Sequence, residues 1–150
     1  MIRAVLAIIA IIFGLSVAIA QEDAIKQRKA LMKANGDQAK IGADMIKGDK
    51  PFDLKAVHKI FATFQDAAAK MPNLFPDNSK PSENSTDDFN AGPKVWENMA
   101  DLKKRFAKFG QDAKAADASV QDLDGLKAAF PNIGKNDCGG CHEIYRLKKS

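Results

Sequence analysis

The sequence predicts an all-α fold, an antiparallel up-down-up-down four-helix bundle, on three observations. Two central stretches carry narrow apolar seams at helical spacing, no stretch alternates apolar and polar residues as a strand would, and the links between helical stretches run short, long, short. The 150 residues suffice for a single core. Lys and Arg number 23 against 19 Asp and Glu, a net charge of +4. These charges are interspersed rather than clustered, so they give no argument for nucleic-acid binding.

The chain opens Met1-Ile2-Arg3 and continues as an apolar run from Ala4 to Ala20. The run ends Ala18-Ile19-Ala20, a small-x-small cleavage pattern, and polar Gln21-Glu22-Asp23 follows at once. A short positive start, an apolar middle and an A-x-A end read as a secretory signal peptide over residues 1–20, which leaves residues 21–150 as the domain. An uncleaved anchor helix is the competing reading, since the run sits at the lower edge of the spanning length. The expected location is outside the cytoplasm, the periplasm in a Gram-negative host, with no stable membrane insertion after cleavage.

The first bundle helix is expected from about Glu22 to Lys47, closed by Gly48-Asp49-Lys50-Pro51. Its seam is Ile25, Met32, Ala39 and Ile46 at intervals of seven, with Leu31 and Met45 beside it. Arg28 and Asn35 are polar gaps on the same side, and an unpaired polar group on an inward face is costly. In the second helix Leu54, Val57, Phe61, Phe64, Ala68 and Met71 step by three and four, with Asp53 placed as N-cap. His58 falls on the polar side and reads as a surface residue. Pro72 to Pro93 is a long crossover rich in Pro, Asn, Ser and Asp, expected to be the least ordered part of the chain.

Pro93 is well placed to start the third helix, whose seam is Val95, Met99, Leu102, Phe106, Phe109, Ala113 and Ala116. The fourth carries Leu123, Leu126, Phe130 and Ile133 and leads into Cys138, Cys141 and His142. Cys138, Cys141 and Tyr145 share one face by their three-four spacing. Pro131 predicts a kink or break near Phe130, because proline removes a backbone bond and clashes with the preceding turn. The last turns would then form a separate short helix or the same helix bent. The basic tail Arg146-Leu147-Lys148-Lys149 complements a helix C-terminus.

Cys138-Gly139-Gly140-Cys141-His142 carries the chemistry. Two thiols three positions apart, with an imidazole directly behind the second, are what covalent haem attachment needs. Each thiol adds to one haem vinyl group, and the histidine becomes an axial iron ligand. These are the only two cysteines, and the leader takes them out of the cytoplasm, where such attachment occurs. A structural disulfide at this spacing would close a very short loop and constrain little. A redox Cys-x-x-Cys usually follows a strand, and none is visible. Structural zinc would want four ligands, and His58 stands far away in sequence. One haem c is therefore expected on Cys138 and Cys141, with His142 on the iron. A haem propionate would suit Arg28; snorkelling to the bundle edge would serve it equally.

Together these residues resemble the class II c-type cytochromes, the group holding the cytochromes c′ and the low-spin cytochromes c-556 and c-554. Cys138 to Arg146 is similar to the family's CxxCHxxFR ending. Pro93-Lys94-Val95-Trp96 resembles its third-helix start, and Lys70-Met71-Pro72-Asn73-Leu74-Phe75-Pro76 its second-helix exit. Arg28-Lys29-Ala30-Leu31-Met32-Lys33 falls where the family places an arginine and, four residues on, the side chain over the distal haem face. Pro131-Asn132 departs from the small residues common there.

The resemblance implies Met32 as second axial ligand of a low-spin His/Met haem. Core filling is the alternative for a methionine on an apolar face. It implies a one-electron carrier that meets other periplasmic redox proteins transiently. The runner-up is a high-spin, cytochrome c′-like protein that binds NO or CO at an open distal site. No catalytic constellation argues for an enzyme. A homodimer through the first two helices is common in the family.

Overall fold

The computed structural model describes the backbone of residues 2–81 and 91–147 and the side chains of residues 22–81 and 91–147. The described helices are α1 (Ile2–Lys47), α2 (Leu54–Lys70), α3 (Lys94–Glu97), α4 (Met99–Ser119), α5 (Leu123–Asn132) and α6 (Gly140–Tyr145), with a π-helical segment, Ile133–Gly139, joining the last two. α1, α2, α4 and the run from α5 to α6 are the four members of a helix bundle. α2 packs most extensively on α4, and α1 packs on α2 and α5. The pairing Ala91 with Arg146 is an isolated bridge, and no strand occurs among the described residues.

The helix expected to start at Glu22 starts at Ile2, because nothing between the apolar run and Lys47 breaks it. Its end follows the expected Gly48, which takes a left-handed φ of 86°. Gly48 N–H donates to Met45 O and Asp49 N–H to Asp44 O, the paired bonds that close a helix on glycine. Asp53 caps α2 as expected, accepting from the N–H groups of Lys55 at 2.9 Å and Ala56 at 3.2 Å.

The third helix is not one piece. Asn98, at φ −129° and ψ 43°, ends α3 and starts α4. Asparagine is a weak helix former that suits helix boundaries. Its N–H still bonds Lys94 O and its carbonyl still receives Leu102 N–H, so the axis bends without being lost.

The seams of α2 and α4 form the core. Val57, Phe61, Phe64, Ala68, Met71, Leu102, Phe106, Phe109, Ala113 and Ala116 are buried, joined by Ile60 and Ala67 beside the α2 seam. Phe64 sits among other rings, 5.5 Å from Phe109 and 6.4 Å from Phe130. The α1 positions Met32, Ala39 and Ile46 are only half-buried. α1 approaches the rest closely at Gly42, where a Cβ would lie 2.7 Å from the Phe130 ring.

The first part of the crossover is better anchored than its composition suggests. Two 3₁₀ turns, Met71–Asn73 and Asp77–Ser79, fold it onto the bundle. Phe75 packs against Trp96 and Phe106. Arg28, 7 % exposed, donates to Leu74 O and Ser79 Oγ, both at 2.8 Å, and lies over the Phe75 ring at 4.8 Å. Beyond the undescribed residues the crossover rejoins α6, where Gly92 N–H donates to Tyr145 O at 2.6 Å.

Candidate haem site

The site is built on the end of the chain. Asp122 caps α5 by accepting from Gly125 N–H at 2.8 Å. A kink or a break was expected near Phe130: α5 runs on through Pro131 without breaking there, the helix widens after it, and the last turns form the separate short helix α6, one of the two expected outcomes. Ile133 N–H is shared by the carbonyls of Ala129 and Phe130, and Gly140 N–H reaches back five residues to Lys135 O. A wider turn accommodates the proline without severing the chain of bonds. Such π segments recur at functional sites, where they re-aim side chains. Here the widened turn carries Cys138 and leads directly into Cys141 and His142.

Those three residues line one cavity together with Asp137 of the same segment. α1 contributes Met32 and Asn35 to it. Phe64, Phe106 and Phe109 supply apolar wall. The fold thus gathers every expected iron and thioether residue into one place, from helices far apart in sequence. Arg28 is not among the cavity residues, and its guanidinium has acceptors on the crossover. A propionate contact would have to be added to these. His58 is exposed and bonds Asp117 through Nδ1 at 2.7 Å, away from the cavity.

The electrostatics separate this pair of thiols from a redox pair. Burial, reinforced by Asp137 and Cys141, pushes the Cys138 thiol up to about 11. Burial raises Cys141 as well, against the opposing Arg105 charge. Reactive redox dithiols have depressed pKa values, and neither of these thiols shows that depression. Desolvation at the cavity, then the Arg146 charge, lowers the pKa of His142, which favours the neutral imidazole that a metal requires. Asp137 is raised to about 6, first by burial and then by the neighbouring Asp112.

Tyr145 is buried in α6, and its hydroxyl donates to Asp101 Oδ2 at 2.6 Å. Arg105 Nε donates to the same oxygen at 2.7 Å. α6 is thereby tied to α4 one turn beyond His142.

Several cavity residues escaped the sequence reading: Asn35 was visible only as a polar gap in the α1 seam, and Gly36, Arg105 and Asp137 carried no signal. Asn35 Oδ1 and Asp137 Oδ2 are buried without a hydrogen-bond partner. Both line the cavity, so the orphaned polar atoms of the described residues are gathered there. An apolar chamber with two protonated thiols, a neutral imidazole, a thioether and unpaired oxygens fits a haem c, which has both apolar faces and polar groups.

The comparisons agree with that fit. The family model described as Cytochrome C′ matches residues 23–146. A cytochrome c-556 of Rhodopseudomonas palustris is 34% identical over 149 residues, covering 99% of each chain. A cytochrome c′ of the same organism is 40% identical over 140 residues, covering 93% of this chain and 92% of that one. The NMR-validated structural model of oxidised R. palustris cytochrome c556 superposes with a TM-score of 0.77 at 34% identity, covering 86% of this chain and 99% of that chain. With both thiols of the attachment motif in its cavity, the chain is a haem c protein of the cytochrome c′ family.

Proposed function

We propose that the chain is a periplasmic one-electron carrier whose single haem is held in a low-spin state by His142 and Met32. One observation carries the reading: Met32 of α1 and His142 of α6 line the same cavity as the two thiols. Bound haem supplies a one-electron Fe(III)/Fe(II) couple. Cys138 and Cys141 anchor it, and the neutral His142 offers a ring nitrogen to the metal. Met32 offers a soft thioether, a ligand that raises the potential. Phe64, Phe106 and Phe109 give the cavity apolar wall, which favours the less charged ferrous form. With His142 and Met32 both holding the iron no position would be left for a substrate, which supports a carrier over an enzyme. Its partners are redox proteins met transiently after residues 1–20 have directed export and been removed. Arg28 would add a propionate contact to its bonds with the crossover.

The second reading is a high-spin protein that binds NO or CO, with Met32 only crowding the distal face. The 40% identity to a cytochrome c′ favours it. Visible spectra of the holo-protein, oxidised and reduced, with and without CO, separate the two. Sharp reduced bands indifferent to CO, converted to high-spin bands by Met32→Ala, are expected. Broad bands that respond at once to CO, unchanged by Met32→Ala, would refute the carrier.

A further inference from the structure

We propose that the Asp112–Asp137 carboxyl pair is a redox-linked proton site, which takes up one proton from solvent when the iron in the cavity is reduced and gives it back on oxidation. The inference rests on the reading that the cavity holds a haem cycling between Fe(III) and Fe(II), and it needs no open position on the iron.

Asp137 lies on the π-helical segment directly before Cys138. It lines the cavity, and its Oδ2 is buried there without a partner. A buried acceptor of this kind calls for a donor, and a carboxyl can become one by binding a proton. The Asp112 carboxyl of α4 lies within hydrogen-bonding reach of the same group. Two carboxyls bond each other only when one of them holds a proton, and two held together do not both ionise freely. Both observations thus ask for the same thing, a single proton. Its route is short, because Asp112 is half-buried and the exposed Lys108 donates to it. Lys108, Asp112 and Asp137 lead in that order from the surface to the cavity wall.

The surroundings leave the pair free to answer to the iron. On α4, Lys108 opposes the effect of burial and of Asp112 on Asp137, and Arg105 is paired with Asp101. The charged residues of α5, Asp124 and Lys127, pair with each other. On the segment itself Lys135 is exposed. Cys138, Cys141 and His142 share the cavity but are committed to the haem. α1 faces the cavity with Met32, Asn35, Gly36 and Ala39, none of which titrates. Burial, then Asp112, holds Asp137 near 6, where a modest change of field gains or loses the proton.

Reduction adds one electron, delivered by the redox partner, and so one negative charge inside the apolar wall. That charge should strengthen proton binding by the pair about tenfold. One proton from solvent balances it, and the only bond formed is O–H, which oxidation breaks.

The test measures the reduction potential of wild-type and Asp137→Asn holo-protein from about pH 4 to about pH 8. The two should agree at the acid end, where Asp137 is neutral in both oxidation states. At the alkaline end the wild type should lie lower by about 59 mV, the tenfold difference expressed as a one-electron potential. Ionising groups of the haem are common to both proteins. Reduced-minus-oxidised infrared spectra near pH 6 should show a protonated carboxyl band appearing on reduction in the wild type and missing from the variant. Asp112→Asn removes a group that raises Asp137, so the pH dependence should move to lower pH. Identical pH profiles, a constant offset at every pH, no carboxyl band, or a profile that Asp112→Asn leaves in place overturns the proposal. The Met32→Ala spectrum judges the axial-ligand reading separately, so a carrier-type spectrum with a potential indifferent to Asp137 sinks this inference alone.

Discussion

Replacing Asp137 with asparagine should abolish a pH dependence of stability that the wild-type chain carries between about pH 4 and pH 6. Burial at the cavity, then the Asp112 carboxylate, raises the Asp137 carboxyl from the ordinary 3.8 to about 6, against the opposing Lys108 charge. A carboxyl raised in the native state keeps there a proton that the unfolded chain has released. Its contribution is therefore greatest at low pH and is lost as pH rises through the native value. For a group shut off from water the interval would correspond to about 3 kcal/mol. Asp137 is only half-buried, and solvent screening reduces the expected effect to about 1 kcal/mol. Asparagine has the same shape and cannot ionise. The variant should match the wild type near pH 4 and exceed it by about 1 kcal/mol near pH 7. Urea unfolding of both holo-proteins across this range reads the difference, and carboxylates other than Asp112, which interacts with Asp137, cancel in it. Parallel curves, or a wild type that gains on the variant as pH rises, would refute the reasoning.

Three further outcomes follow from the packing. Arg28→Met removes the bonds to Leu74 and Ser79 and the cation over Phe75, and should cost about 2–4 kcal/mol. Residues 74–80 should lose hydrogen-exchange protection in that variant, and unchanged protection would show that Arg28 does not anchor the crossover. Gly42→Ala should be net destabilising by about 1 kcal/mol, because displacing the Phe130 ring outweighs the helix-propensity gain; a higher Tm would disprove the close approach. Tyr145→Phe should raise the Asp101 pKa, since the tyrosine hydroxyl is the foremost of the groups that lower it. An NMR titration of Asp101 that does not move would mean the hydroxyl bond is absent in solution.

Much of the fold was legible because its determinants are local. The three-four steps of α2 and α4 place Phe61, Phe64, Phe106 and Phe109 on inward faces whatever they pack against. Asp53 and Gly48 act through bonds to residues a few positions away. The attachment motif is local as well, since five adjacent residues hold both thiols and the histidine proposed as iron ligand. The path through Pro131 was legible only in part: a disturbance and a separate last helix were expected, the π-helical widening was not. Proline forbids one backbone bond, but whether a helix breaks or widens depends on what its neighbours hold in place. In this protein Phe130 is held against Gly42 and Phe64 on one side, and Tyr145 against Asp101 on the other. The bend at Asn98 had no signal stronger than one weak helix former.

By itself, then, the sequence determined an all-α bundle, its core seams and a cysteine pair with an adjacent histidine, all properties of periodicity and short-range spacing. Only the tertiary structure decided which polar residues of α1 meet which partners. Arg28 and Asn35 are equivalent gaps in one seam, seven residues apart. Folding takes the first to the crossover carbonyls and leaves the second unpaired in the cavity, because their neighbours come from segments distant in sequence. Periodicity specifies the face a side chain occupies; the opposing surface, which supplies its chemistry, is set by the fold.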